Sequence, residues 1–227
     1  MEVRLESARV FRAHLAAIAG LVFAHLSVVA LRGVTGHPNA MGLVPLFDLN
    51  AENNVPTLFS GLGMLVGAVL LWLTGAAARR AGDPGAGVWK GLGLLFVALS
   101  LDESLALHER LSTPLRAVLH VGGAFHFAWV IPYFAGVVVL TIVLRRFIVG
   151  LEGPLRRDLF VAAGVFLSGA LVLELLGSWI SSTLGRRTPL YVVEVTVEET
   201  LEMVGIALLV RALLGYHERR FGTRAGS

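Results

Sequence analysis

The sequence predicts an all-α protein, a polytopic membrane helical bundle of about six transmembrane helices that forms a single domain over residues 1–227. Apolar residues make up 56% of the chain and charged residues 15%, which is far more apolar than a soluble domain. Apolar runs of about 20 residues, the length that crosses the hydrocarbon core, recur along most of the chain. Carboxylates inside these runs are the exception that points to a function.

Six spans can be placed on these runs, at residues 12–31, 57–78, 89–108, 124–144, 159–180 and 190–214. Longer connections are expected at 32–56 and 109–123. The first apolar stretch has no small-residue cleavage site and follows basic residues, so no signal peptide is expected. The chain has no cysteine, which excludes disulfides and thiolate metal ligands.

The distribution of basic residues predicts the orientation. With the N-terminus inside, 14 of the 19 Lys and Arg residues lie on the inner side, and five lie outside: Arg32, Arg110, Arg116, Arg186 and Arg187. Both termini are therefore predicted to be cytoplasmic, in the cell (inner) membrane. Ten acids fall in the outer half, which gives it a formal charge of 5 − 10 = −5. The basic flanks indicate membrane lipid rather than nucleic acid as the partner.

The last span, Tyr191–Leu214, carries four glutamates in its first half. A carboxylate at the centre of a spanning helix costs roughly 2.5–3.5 kcal/mol on insertion scales. Glu198 and Glu202 are four residues apart, and Glu199 and Glu202 are three apart, so all three can converge on one cation. Glu194 extends this acidic stripe outwards.

The third span carries a second acidic run, Leu101 to Glu109. Asp102 and Glu109 are seven residues apart and should share a helix face, whereas Glu103 and His108 point elsewhere unless the helix opens. On the fourth span, His126 and Tyr133 are also seven apart and should share a face. Because acids on the third, fifth and sixth spans lie at a similar depth, we expect these three spans to be neighbours.

These residues predict a metal site near the outer face. The expected metal ligands are Glu103, His108, Glu198 and Glu202. Asp102 and Glu199 are assigned as the catalytic base or as supporting groups. Further supporting positions are Glu52, Glu109, His126, Glu174 and Glu194. A set of oxygens with one or two imidazoles suits a divalent ion, with Mn, Fe, Zn, Mg and Ca left open.

Several functions are compatible with this pattern. The leading interpretation is a metal-dependent enzyme, a hydrolase or an oxidase, that acts on a lipid or another membrane-resident substrate. A cation or proton transporter is the alternative, because intramembrane acids often mark ion pathways. A third interpretation is an accessory subunit of a larger membrane complex, or a homo-oligomer. A scaffold in which the acids pair with outer arginines such as Arg116 and Arg186 also stays open.

The combination of the ENN…PT..S entry, the LDE…HE helix and the final EE..E helix resembles a group of uncharacterised multi-pass bacterial membrane proteins, over most of the chain. Fewer positions, Glu52, Asn53, Ser60 and Leu101-Asp102-Glu103, are similar to the alkaline ceramidase and adiponectin-receptor class of membrane zinc hydrolases. That resemblance implies a membrane metallohydrolase. In that class the last helix supplies two histidines, but this last span has none, so the zinc ligands do not carry over.

Overall fold

All regular secondary structure is helical between residues 6 and 221, the part of the chain that this computed structural model describes. Two basic residues of the predicted inner flanks, Arg4 and Arg224, lie outside this range. The α-helices in chain order are α1 Ser7–Thr35, α2 Leu43–Phe47, α3 Val55–Arg80, α4 Ala86–Leu105, α5 Leu107–Leu119, α6 Val130–Gly150, α7 Gly153–Leu167, α8 Glu174–Thr183 and α9 Pro189–Phe221. A π-helical segment, Ser168–Leu173, joins α7 to α8.

Within residues 6–221, four helical stretches are long and apolar enough to cross a membrane: α1, α3, α6 and the continuous stretch Gly153–Thr183. A fifth candidate is the pair α4 and α5, which is bent by 79° at Ala106. The all-α architecture with several membrane-length helices is thus confirmed. The count of six spans and the cytoplasmic placement of both termini stay predictions.

The bend between α4 and α5 changes the prediction for the acidic run. Ala106 has φ 49° and ψ 45°, a left-handed conformation that alanine rarely adopts. The helix therefore ends at Leu105 instead of continuing to residue 108. The expectation that Asp102 and Glu109 share a helix face is wrong, because the helix axis changes direction between them. Most of the connection expected at 109–123 is helix α5.

The fourth predicted span also begins later than expected. It was placed at 124–144, but α6 runs from Val130 to Gly150. The Phe127 N–H donates a 2.9 Å hydrogen bond to Ser178 Oγ, which holds the preceding loop against α8. His126 lies in this loop, so the prediction that it shares a helix face with Tyr133 is wrong.

Helix α9 is the central element of the fold. It contacts α1, α3, α7, the π-helical segment and α8. Its side chains Met203, Ala207, Val210 and Leu213 are almost fully buried. Because α9 carries four glutamates at one end, the helix that organises the packing also positions the acidic residues.

The closest approach of α9 to a neighbour occurs at the π-helical segment. A Cβ added at Gly169 would lie 2.7 Å from the Glu198 carbonyl oxygen and 2.9 Å from Glu202 Cγ. A side chain at position 169 would therefore push α9, which carries Glu198 and Glu202, away from the π-helical segment that precedes Glu174. A π-helical segment of this kind often occurs at a functional site.

We expect Gly169→Ala to destabilise the protein by about 1–3 kcal/mol, since overpacking forces backbone shifts. Gly164→Ala is the matched control, because it lies on α7 with no atom within 4 Å of its added Cβ. In that open helical position alanine should stabilise by up to about 1 kcal/mol. Melting temperatures in one detergent give the comparison, and a stabilised Gly169→Ala protein would contradict the close approach.

Candidate functional site

The predicted acidic residues meet at one cavity of about 680 Å³. Its wall is built from the loop before α3, the α4–α5 bend, the start of α6, the π-helical segment and α9. Eight carboxylates line it: Glu52, Asp102, Glu103, Glu109, Glu174, Glu198, Glu199 and Glu202. His108 and His126 line it as well. Ten of the eleven predicted site residues therefore surround one space, although they come from five separate segments.

Asp102 holds the α4–α5 bend together. Its Oδ1 accepts a 2.9 Å hydrogen bond from the His108 backbone N–H, and its Oδ2 lies 3.3 Å from His108 Nδ1. The Tyr133 side chain also interacts with Asp102. One carboxylate thus caps the first turn of α5, orients the His108 ring and contacts α6. The bend brings His108 next to Asp102, which a straight helix would not do.

His108 is fixed from a second side by an aromatic residue. The Trp129 ring centroid lies 4.7 Å from that of His108, and the Tyr133 ring packs edge-on to Trp129 at 4.9 Å. The Trp129 Nε1–H donates a 2.8 Å hydrogen bond to Glu174 Oε1. These contacts join the acids of α4 and α8 through the start of α6. Side-chain contacts therefore hold most of the wall opposite α9 in position.

The α9 glutamates form the opposite wall. Glu198 is only 8% exposed, and its carboxyl lies beside that of Glu174. Glu199 and Glu202 lie close enough to Glu103 for their charges to interact. Glu202 also interacts with Glu174 across the cavity. The two acidic runs recognised in the sequence therefore face each other.

Glu52 closes the cavity at the end of the loop before α3. Burial raises the pKa of its carboxyl, and the Thr57 hydroxyl donates a 3.2 Å hydrogen bond to it. Asn54 caps α3, since its side-chain oxygen accepts a 3.0 Å hydrogen bond from the Thr57 N–H. Pro56 lies in the first turn, where its missing N–H costs nothing. The cap thus fixes the position of Glu52 relative to α3.

Two predicted supporting residues have other surroundings. Glu194 does not line the cavity; its carboxyl packs against Gly177, where an added Cβ would lie 2.5 Å from Glu194 Oε2. His126 lies at the rim, with its ring 3.0 Å from Arg116 Nη1. Burial, followed by the positive charges of Arg116 and Arg186, lowers the pKa of the His126 imidazole. These surroundings disfavour a positive charge on His126.

Five polar or aromatic residues that were not predicted as site residues also line the cavity: Arg116, Trp129, Tyr133, Arg186 and Tyr191. The spacing of Trp129 and Tyr133 is a signal that could have found two of them, because side chains four apart at a helix start share a face. His25, outside the cavity, also has a structural role. It is 1% exposed, and its Nδ1 accepts a 3.0 Å hydrogen bond from the Leu49 N–H, which anchors the loop that carries Glu52.

The scaffold interpretation required ion pairs between the acids and the outer arginines. Within residues 6–221, no Lys or Arg lies within 4.0 Å of any of the eight cavity carboxylates. Arg116 instead donates to the His126 carbonyl at 3.1 Å, and the Arg186 guanidinium stacks over Phe127 at 4.9 Å. The cavity thus has a formal charge of −8 + 2 = −6.

The side chains line the wall rather than converge on one point. Among the described residues, no group of three or more His, Asp or Glu side chains is arranged to hold a metal ion. The assignment of Glu103, His108, Glu198 and Glu202 as metal ligands stays a prediction. What the geometry provides is a large, strongly acidic and partly aromatic cavity.

A family model, described as a domain of unknown function (DUF8692), matches residues 14–215 of the chain. No curated protein and no solved structure matches. The chain belongs to the DUF8692 family, whose model covers every residue of the cavity wall.

Proposed function

We propose that this protein is a membrane-embedded enzyme whose acidic cavity binds a divalent cation and acts on a membrane-resident amphiphile. The observation that carries the proposal is the set of eight carboxylates around one cavity, none of which pairs with a Lys or Arg side chain among the described residues. Two like charges about 6 Å apart repel by about 3 kcal/mol at an effective dielectric constant of about 20. A bound cation relieves this repulsion directly.

The lining residues are of the types that such a cation binds. Carboxylate oxygens and one imidazole are ligands that Mn²⁺, Fe²⁺, Zn²⁺, Mg²⁺ and Ca²⁺ accept. Glutamate side chains have three rotatable bonds, so a cation can draw Glu103 and Glu202 inwards from opposite walls. Asp102 contacts His108 at ring nitrogen Nδ1, and the other ring nitrogen, Nε2, is not part of this contact. A metal-binding histidine is usually oriented in this way, by a carboxylate at the nitrogen that does not bind the metal.

A hydrolase is the simplest enzyme for this site, because its only co-reactant is water. A divalent ion makes bound water acidic enough to supply a nucleophile near neutral pH. In this scheme a carboxylate such as Glu199 accepts the proton that the water loses. The cation and proton transporter remains the second candidate, and it requires a polar path from the cavity to the basic end of the helices.

Elemental analysis of the purified protein tests the proposal. We expect about one divalent ion per chain in the wild type and its loss from Glu103→Gln and Glu202→Gln. Glu152→Gln is the control, since Glu152 lies outside the cavity, where it pairs with Arg220 at 3.2 Å. A wild type that purifies without metal and binds none after dialysis against each of the five ions would refute the metal site.

The orientation is a separate proposal, supported by the division of basic residues into 14 and five. Single cysteines introduced at Asn39 and Thr188 should react with a membrane-impermeant maleimide in intact cells. A cysteine at Ala81, in the connection after α3, should react only after lysis. The chain has no natural cysteine, so these labels are unambiguous. The reverse pattern would place the acidic cavity near the cytoplasm.

A further inference from the structure

A second cavity of about 250 Å³ begins where the acidic cavity ends. Met64, Leu99 and Phe166 line both, so the two spaces adjoin at these three side chains. From Leu99 the second cavity follows α4 to Trp89, ten residues away, which is about 15 Å along the helix. We call this space the apolar slot. Its only charged or hydroxyl-bearing lining residues are Thr141 and Arg156 among those described.

Helix α6 forms the outer wall of the slot without packing tightly. Among the described helices, none makes extensive backbone contact with α6. The helix is held through individual side chains, such as Phe147, whose ring lies 5.0 Å from that of Trp89. Its apolar residues Phe134, Val139 and Ile142 are each more than half exposed. A hydrocarbon chain from the surrounding lipid can therefore reach the slot from the side, beside α6.

The acidic cavity determines which head group can accompany such a chain. With a divalent cation bound, the formal charge of the cavity is −6 + 2 = −4. Glu198, 92% buried and lining the cavity, has acidic rather than basic neighbours. An anionic head group is thus disfavoured, whereas a protonated amine is attracted.

Aromatic side chains favour the same head group. Trp129, Tyr133 and Tyr191 line the acidic cavity beside its carboxylates: Trp129 donates to Glu174, Tyr133 interacts with Asp102, and Tyr191 lies near Glu174 and Glu198. Aromatic faces attract ammonium groups, by about 0.5–1 kcal/mol at exposed sites and more when desolvated. Carboxylates with aromatic neighbours are therefore a suitable environment for an amine, and the apolar slot lies at the opposite end of the same cavity.

We propose that the ligand is a single-chain amphiphile with a protonated amine head, whose head lies in the acidic cavity and whose hydrocarbon chain fills the apolar slot between α4, α6 and α7. This assignment rests on the proposed function and names its substrate class. The slot gives little affinity by hydrophobicity alone, because lipid tails are as apolar as the slot. The charged head supplies the affinity, and the slot selects by shape.

Photo-crosslinking with hexadecylamine that carries a diazirine on its last carbon tests the assignment. In nanodiscs of zwitterionic lipid, we expect wild-type crosslinks on peptides of α6 and α7 that line the slot, around Leu144 and Leu159. The N-acetylated probe keeps the chain but has no charge. It should give at least tenfold less of this crosslink, since the head group supplies the affinity.

Ala163→Trp blocks the slot one turn below Phe166 and should reduce the slot crosslink at least tenfold. Val161→Trp is the control, because Val161 lies on the same helix, is 50% exposed and lines neither cavity. Thr141→Trp fills the slot from α6 and serves if Ala163→Trp does not fold. Its own control is Ile142→Trp, at an exposed position outside the slot.

Metal content is measured on the same samples, so that the two proposals fail separately. Slot crosslinks that survive both tryptophan substitutions, or that match those of the control variants, overturn the slot. An N-acetylated probe that crosslinks as well as the amine overturns the head group. A protein that binds no metal but gives the expected crosslinks overturns the metalloenzyme and keeps the ligand site.

Discussion

Asp102→Ala is expected to destabilise the protein by about 3 kcal/mol, the largest loss of stability expected from a single cavity substitution. The carboxylate accepts hydrogen bonds from the His108 backbone and ring, and its side chain is only 13% exposed. Loss of a helix cap costs about 1 kcal/mol, and loss of a hydrogen bond to a charged group costs about 1.5–3 kcal/mol. Because Asp102 joins both sides of the bend, its loss should also release α5 from α4.

Two further variants separate this positioning role from acidity at the cavity in general. Asp102→Asn keeps an oxygen that can cap α5, so it should lose less than half as much stability. Glu109→Ala removes a carboxylate that is exposed and makes no hydrogen bond within residues 6–221, and it should change stability by less than about 0.5 kcal/mol. Chemical denaturation gives the free energies. Equal losses of unfolding free energy for Asp102→Ala and Glu109→Ala would show that the effect of Asp102→Ala does not come from the α4–α5 bend.

Hydrogen exchange at α5 reports the second part of this expectation. In the wild type, the amide of His108 should be protected by Asp102, and the next turns of α5 should exchange slowly. In Asp102→Ala the protection should fall across Leu107–Leu119 and remain unchanged in α9. Uniform loss of protection along the whole chain would mean global unfolding instead of release of one helix.

The sequence was sufficient to find the helices and to group the acids. Hydropathy locates apolar runs because a span needs about 20 residues whatever its neighbours are. The third, fifth and sixth spans were expected to be neighbours because isolated charges in apolar surroundings are expensive. Their carboxylates line one cavity, although α4 packs mainly against α3 and not against α8 or α9. The common cavity agrees with this argument, which depends on energy rather than on any particular motif.

Local backbone conformation was not predictable in the same way. Ala106 adopts a left-handed conformation although alanine is a strong helix former, because Asp102, His108 and Tyr133 together hold the bend. The π-helical segment depends on Gly169 meeting the α9 backbone, a contact that exists only in the folded bundle. Both features depend on tertiary contacts, so neither periodicity nor composition reveals them.

The last prediction concerns the stability of Glu202→Gln with and without divalent metal. In the chelated protein, Glu202 lies near other carboxylates without a cation, so replacing it by the neutral amide should stabilise by about 3 kcal/mol, the repulsion expected between close like charges. With metal present, the wild type gains about 2.7 kcal/mol when the ion is at 100 times its dissociation constant, whereas the variant has lost a ligand. The advantage of Glu202→Gln should therefore shrink or reverse.

Melting temperatures of wild type and Glu202→Gln, each with chelator and with each candidate ion, measure this interaction directly. Glu152→Gln should show no metal-dependent difference from wild type, since its carboxylate lies outside the cavity. A stabilising effect of Glu202→Gln that is the same in both conditions would mean that metal does not neutralise this wall. The cavity would then have to reduce its negative charge by sharing protons among the carboxyls, which would favour the transporter over the metalloenzyme.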